Sequence, residues 1–146
     1  MKVKKKTTTV VEEIIVNNEW THIVSILDRS GSMINIIGDC VGGFNQYIKN
    51  QKNENLGDKV TITVALFDDK YDLLYNNVDI NDVDETNIKK RWIPRGTTAL
   101  LDAIGKTINT TKQEYNLLGD VKPTRTLCVI VTDGLENASK EYSHDM

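Results

Sequence analysis

The run Trp20-Thr21-His22-Ile23-Val24-Ser25-Ile26-Leu27 constrains this chain most. A continuous, mainly apolar run of this length reads as a strand buried on both faces. Such strands belong to parallel sheets, which need helices on each side to keep them from water. The run ends in Asp28-Arg29-Ser30-Gly31-Ser32. The strand thus delivers a carboxylate and two hydroxyls, at alternate positions, into a tight turn. Hard oxygen donors of this kind suit Mg²⁺ or Mn²⁺ rather than zinc. The pattern is short, however, and Ser32 just before a helix also fits an N-cap.

The rest of the chain fits the same architecture. Ile37, Val41, Phe44 and Ile48 recur along one face of a helix expected over about 34–52. Gly42-Gly43 interrupts it, which we read as close packing against the sheet. Val60 to Phe67 is β-branched and alternating, a second strand. Asp68-Asp69-Lys70 then turns the chain into a hairpin partner at Tyr71 to Tyr75. A short helix is expected near 85–91, and Leu100, Leu101, Ile104 and Ile108 mark another, reaching toward Tyr115. Thr126 to Thr132 reads as a further buried strand, with Cys128 as a buried free thiol. The order is β-α-β-β-α-β, an α/β doubly wound sheet, mostly parallel, with one antiparallel edge strand. Residues 1–18 read as an N-terminal arm, with apolar residues at 10–11 and 14–16, and 19–146 as one domain.

Composition excludes several classes. With 146 residues and a net charge of −3, the chain lacks the general basic surface of a nucleic-acid binder. Its charge run is confined to Lys2, Lys4, Lys5 and Lys6, read as a solvated end. Two cysteines, Cys40 and Cys128, do not make a disulfide framework. No stretch reaches the roughly 18 apolar residues of a membrane span. These features together predict a soluble, cytoplasmic protein with no membrane partner.

In sheets of this kind ligands bind beyond the C-terminal strand ends. Three segments meet there: Asp28-Arg29-Ser30-Gly31-Ser32, Pro94-Arg95-Gly96-Thr97-Thr98-Ala99-Leu100, and Val131-Thr132-Asp133-Gly134. All three carry short oxygen-bearing side chains. Helix caps alone do not account for all of them. These segments, together with Glu136-Asn137-Ala138-Ser139, resemble the metal-ion-dependent adhesion site of von Willebrand factor type A domains. The wording is closer to bacterial and phage members than to animal ones, and the resemblance covers about residues 18–143.

The resemblance implies a Rossmann-like fold of this type and a metal site built from Asp28, Ser30, Ser32, Thr98 and Asp133. Ser30 and Ser32 would bind Mg²⁺ (or Mn²⁺) directly. Thr98 would bind directly or through water, and Asp28 and Asp133 directly or, more often, through water and hydrogen bonds to the serines. Thr97 rivals Thr98, but Thr98 directly precedes Ala-Leu, as in the family. Asp102, one turn into the helix, is read either as an acceptor steadying the site or as a first-turn aspartate favoured by the helix dipole. Asp68 and Asp69 read as turn residues. Arg29 and Arg95 flank the site and are read either as contacts for an acidic partner or as ordinary exposed arginines; His22 and His144 have no ligand partners in the sequence.

The function implied is a non-catalytic, metal-dependent protein-binding module whose partner supplies an acidic residue to the metal. An alternative is a Mg²⁺-dependent phosphohydrolase of the aspartyl-phosphate type, but Ser30 stands where its second acid would be, removing the acid/base. A regulatory subunit of an ATPase- or chelatase-like assembly is a further alternative. Relatives continue beyond the position of Ser143, so the resemblance predicts that C-terminal strands and helices are missing. The strand at 126–132 is then an exposed edge, open to self-association or to a strand borrowed from residues 10–16. A helix is expected to start near Ala138.

Overall fold

The apolar run becomes β1, Trp20–Asp28, in which every residue from Thr21 onward is buried. β1 can be buried on both faces because it has neighbours on both edges and helices above and below. The computed structural model describes residues 19–54 and 57–142. The expected arm at 1–18 lies outside the described residues. β2 (Lys59–Phe67) pairs parallel with one edge of β1, and β4 (Arg125–Val131) pairs parallel with the other. β3 (Tyr71–Asp79) returns antiparallel on β2. The sheet order is β3-β2-β1-β4, an α/β arrangement with one antiparallel pair.

The core lies mainly on one face. Ile23 and Leu27 of β1 and Ile62, Val64 and Leu66 of β2 pack against Val41, Phe44 and Ile48 of helix α1, Ile37–Glu54. A 3₁₀ turn, Gly31–Asn35, precedes α1, so the helix proper starts later than periodicity predicts. Ile88 and Trp92, in and just after the short helix α2 (Glu85–Arg91), close the same core. Asp84 caps α2, its carboxylate accepting the N–H of Thr86 at 2.9 Å. Helix α3, Leu100–Leu118, covers the opposite face through Ala103, with Leu100 and Ile104 packed against Ile26 and Phe67.

Four expectations need correction. Gly42 and Gly43 are not close-packing positions: both are exposed, and a Cβ at either meets nothing within 4 Å. β3 runs on to Asp79 rather than stopping at Tyr75. Asn77 adopts a left-handed φ of 53°, which asparagine tolerates, beside an irregularity in the β2–β3 register. Its N–H is taken up by the Thr63 hydroxyl at 3.0 Å. β4 is not buried: its residues are exposed or half-exposed, and Cys128 is exposed, because among the described residues no strand covers its outer edge. Finally, no helix starts near Ala138; the described residues from Thr132 to Tyr142 run as an irregular segment. No helix among the described residues is long and apolar enough to cross a membrane.

His22 lies wholly inside the structure. One ring nitrogen is 2.7 Å from the Tyr115 hydroxyl and the other 2.7 Å from that of Thr63, so the imidazole ties α3 to two strands. Both nitrogens are satisfied, and burial pushes its pKa down to about 4.

Two predictions follow from this packing. Because Gly42 and Gly43 sit in an exposed helix interior, Gly42→Ala and Gly43→Ala should each stabilise the fold by about 0.5–1 kcal/mol. Urea denaturation checks this, and a loss of stability at either position would contradict the open space described. The second concerns pH. The unfolded chain takes up a proton on His22 near pH 6.5 and the folded chain only near 4. The stabilising difference is complete above about pH 6.5 and is lost as pH falls toward 4, amounting to about 2 kcal/mol by pH 5. His22→Gln should flatten the dependence between pH 7 and 5; an equally steep dependence in the variant would refute the assignment.

Candidate metal centre

β1 ends with its last residue, Asp28, fully buried. One carboxylate oxygen accepts the N–H of Ser30 at 2.8 Å, which bends the chain sharply after the strand. The other accepts the Thr132 hydroxyl at 2.8 Å, across from the end of β4. Among the described residues no lysine, arginine or histidine forms an ion pair with Asp28. An ionised carboxylate in that position is costly without a compensating positive charge. Ser30 is buried and Ser32 exposed, and their hydroxyls lie 3.1 Å apart.

The second segment is sewn directly onto this turn. Arg95 N–H donates to the Arg29 carbonyl at 2.7 Å, and Gly31 N–H to the Gly96 carbonyl at 3.0 Å. Gly96 has φ 70°, and a Cβ there would meet the carboxylates of Asp69 at 2.5 Å and Asp68 at 2.9 Å. Only glycine lets this loop pass so close to the β2–β3 turn. Thr98 is buried and Thr97 exposed, which separates the two rivals. The main chain of Thr98 is fully engaged: its N–H donates to the Asn137 side chain at 2.9 Å, and its carbonyl accepts from Asn137 and Ala138. Its hydroxyl takes no part in these bonds and has no partner among the described residues.

The third segment arrives less tightly. Asp133 is exposed, and one carboxylate oxygen accepts the N–H of Leu135 at 3.1 Å. No hydrogen bond joins its side chain to Asp28, Ser30, Ser32 or Thr98. The structure therefore links Asp28, Ser30 and Ser32 through side-chain bonds, brings the Thr98 loop against them through the main chain, and leaves Asp133 on the rim. Thr132, not singled out in the sequence, is the residue that binds Asp28. Strand register identifies it: Leu27 lies opposite Val131, so the next residues, Asp28 and Thr132, meet.

The arginines do something other than expected. Arg29 is buried, its guanidinium 3.7 Å from Asp68 and 3.5 Å from Asp72. Arg95 binds Asp68 at 2.8 Å. Asp68 also receives the Lys70 N–H at 2.8 Å, so it is a turn residue as read, and in addition the anchor of both arginines. Arg29 is thus held inside by acids rather than offered to a partner.

Asp102 does not support the serines. Its carboxylate accepts the backbone N–H groups of Lys140, Glu141 and Tyr142 at 2.8–2.9 Å. Glu136 makes a second clamp, accepting from Leu101 at 2.8 Å and from Ser139. Together the two carboxylates take up the amides of residues 138–142 and hold the segment against the start of α3. Tyr142 lies over Gly105, where an added Cβ would come within 2.4 Å of its ring. For both carboxyls partial desolvation pushes the pKa up, but the backbone hydrogen bonds outweigh it and hold both below the usual range.

The donor set fits a hard divalent cation. A buried carboxylate with no ion-pair partner lies at the turn that carries the Ser30 and Ser32 hydroxyls, and the loop bearing Thr98 is bonded to that turn, all oxygen donors. Among the described residues no three His, Cys, Asp or Glu side chains converge into a group that could hold a metal ion, so a cation here would rest on hydroxyls and a single buried carboxylate. A concavity of about 190 Å³, lined by Asp68, Asp69, Ala99, Asp102, Lys106 and Glu141 among others, includes neither serine nor Thr98.

No family model matches the chain, and no curated protein does. Among solved structures it is similar to proximal thread matrix protein 1 from the mussel byssus (crystal form 2). The identity is 17% and the TM-score 0.51, with 86% of this chain and 30% of that chain covered. At this identity the likeness concerns the fold alone, and the chain spans under a third of that protein's length.

The clamps carry a prediction. Because the pKa of Asp102 is lowered, its contribution is present above the ordinary carboxylate range and lost as pH falls through the lowered value. Asp102→Asn should speed amide exchange at Lys140, Glu141 and Tyr142 several-fold at neutral pH while leaving β1 protected. Unchanged exchange at those three amides would show that the clamp does not hold the segment.

Proposed function

We propose that this chain is a non-catalytic binding module of the von Willebrand factor type A kind, which uses a Mg²⁺ or Mn²⁺ ion to engage a carboxylate of a protein partner. The observation that carries this reading is the fully buried Asp28 carboxylate with no ion-pair partner, beside the paired hydroxyls of Ser30 and Ser32. Ser30, Ser32 and Thr98 would supply hydroxyl ligands. Asp28 and Asp133 would offset the cation's charge, directly or through water. When bound, the ion offers a Lewis-acidic position to an incoming carboxylate.

The chain's own residues define the rest of the task. Asp28 orients Ser30 through its main-chain N–H, and Thr132 fixes the Asp28 carboxylate from the neighbouring strand. The Gly96 loop holds Thr98 next to the serine turn. Ser32 and Asp133 are the exposed members, so they face whatever approaches. A phosphohydrolase would need a second acid where Ser30 stands, and nothing in the geometry replaces it.

Isothermal calorimetry with Mn²⁺ tests the reading. One site is expected, with binding abolished in Asp28→Ala and Ser30→Ala and weakened in Thr98→Ala. Unchanged affinity in the first two variants, with the fold intact by circular dichroism, would sink it.

A further inference from the structure

Charge is unevenly placed in this acidic chain. A cleft of about 470 Å³ is lined by Arg29, Asp72, Lys90, Arg91, Ile93 and Arg95. Its four cations come from three stretches of chain: the serine turn, the last turn of α2, and the loop that leads to Gly96. The carboxylates against them are Asp72, in the lining, and Asp68, which binds Arg95 at 2.8 Å and lies 3.7 Å from Arg29. Four positive groups facing two negative ones leave the cleft positive, in a chain whose net charge is −3. Asp69 lines the neighbouring concavity, not this one. The helix dipole accounts for basic residues at the end of α2, but not for Arg29 and Arg95, which lie in loops.

These cations keep donors to spare. Lys90 is exposed and has no ion-pair or hydrogen-bond partner among the described residues. The Arg95 side chain is 57% exposed and binds Asp68 through Nε, so its terminal nitrogens are uncommitted. Arg29 is buried. Its contacts with Asp68 and Asp72, at 3.7 and 3.5 Å, are longer than an N–H···O hydrogen bond, and its Nε has no hydrogen-bond partner. It therefore lends charge from inside, while Lys90, Arg91 and Arg95 are exposed for contact.

The cleft adjoins the proposed metal site. Arg29 stands between Asp28 and Ser30, and the Arg95 N–H donates to the Arg29 carbonyl at 2.7 Å. Asp72 belongs to β3, so the cleft lies on the side of the sheet away from β4. No aromatic side chain lines it, and the neighbouring Trp92 is buried in the core, so it offers no platform for stacking bases. Arginine forks suit carboxylates, which they can bind through two parallel hydrogen bonds. Ile93, 57% exposed, adds an apolar contact for a peptide stem.

We propose that the partner's recognition element is an acidic protein segment, rich in Asp and Glu. One of its carboxylates meets the cation, and a neighbouring one enters the cleft of Lys90, Arg91 and Arg95. This rests on the metal-dependent reading above, so the test varies the metal and the cleft separately.

The probe is fluorescein-labelled hexaglutamate, followed by anisotropy at low salt with the full chain. Binding in Mg²⁺ should fall about fivefold in Lys90→Glu, and further when Arg95→Gln is added. Lys122→Glu makes the same charge change near Thr124, which bonds Trp20 at the opposite end of β1, and should leave affinity unchanged. Calorimetry should show the same Mn²⁺ affinity in Lys90→Glu as in the wild type. In EDTA a weaker binding should remain and still fall in Lys90→Glu. Binding indifferent to both cleft variants would overturn the proposal; if EDTA nonetheless abolished it, the metal reading would stand alone. Cleft-dependent binding that EDTA does not alter would keep the cleft and refute the metal's part. No binding in either buffer, or tighter binding of an oligothymidylate of equal charge, would also overturn it.

Discussion

Asp28 carries its carboxylate at the end of a central strand, where solvent does not reach it. Two hydrogen bonds hold it there, one from the turn that follows and one from the neighbouring strand. That pair of bonds sets the direction of the Ser30-Gly31-Ser32 turn and locks the end of β4 to the end of β1. The Gly96 loop is then tied to the turn, and through it Thr98 and the 136–142 segment. A single unneutralised carboxylate is thus the point on which three loops converge. The proposed cation site rests on this buried carboxylate, which has no ion-pair partner among the described residues, and on the hydroxyls beside it, as well as on resemblance.

Most other acids near this end of the sheet are engaged. Asp68 is taken by Arg29, Arg95 and the Lys70 amide, and Asp72 by Arg29 and Arg91. Asp102 and Glu136 are taken by the main chain of the closing segment. Asp68 and Asp72 are met by arginines, whereas Asp28, Asp102 and Glu136 are held by main-chain amides and hydroxyls alone, and of these three only Asp28 is fully buried. The division gives the rim a stiff surround and leaves the oxygen donors of the serine turn available.

Much of the layout was legible in the sequence because burial on both faces leaves a strong signature. β1 and β2 fall where their apolar runs predict, and α2 falls over 85–91, where Asp84 and the basic last turn mark its ends. Legibility failed where a tertiary bond replaced a local rule. The sequence predicts a hairpin partner ending at Tyr75, yet Thr63 and a left-handed Asn77 carry β3 on to Asp79. Arg29 looks like a surface cation, yet Asp68 and Asp72 draw it inside. Gly42-Gly43 looks like a contact point, yet lies on the open side of α1. Cys128 reads as core by its neighbours, yet is exposed, on a strand that has no partner on its outer side among the described residues. Within the site, Asp28, Ser30 and Ser32 were recoverable from their spacing, whereas Thr132 needed the register of β4 against β1.

The claim that the serine turn is a cation site is tested most directly by paramagnetic broadening. Substoichiometric Mn²⁺ added to the isotope-labelled chain should broaden the amide signals of residues 28–32, 96–98 and 132–134 first. Those of Leu117 and Leu118, at the far end of α3, should stay sharp. Broadening centred on Asp102 and Glu136, or spread evenly over the acidic surface, would contradict the account.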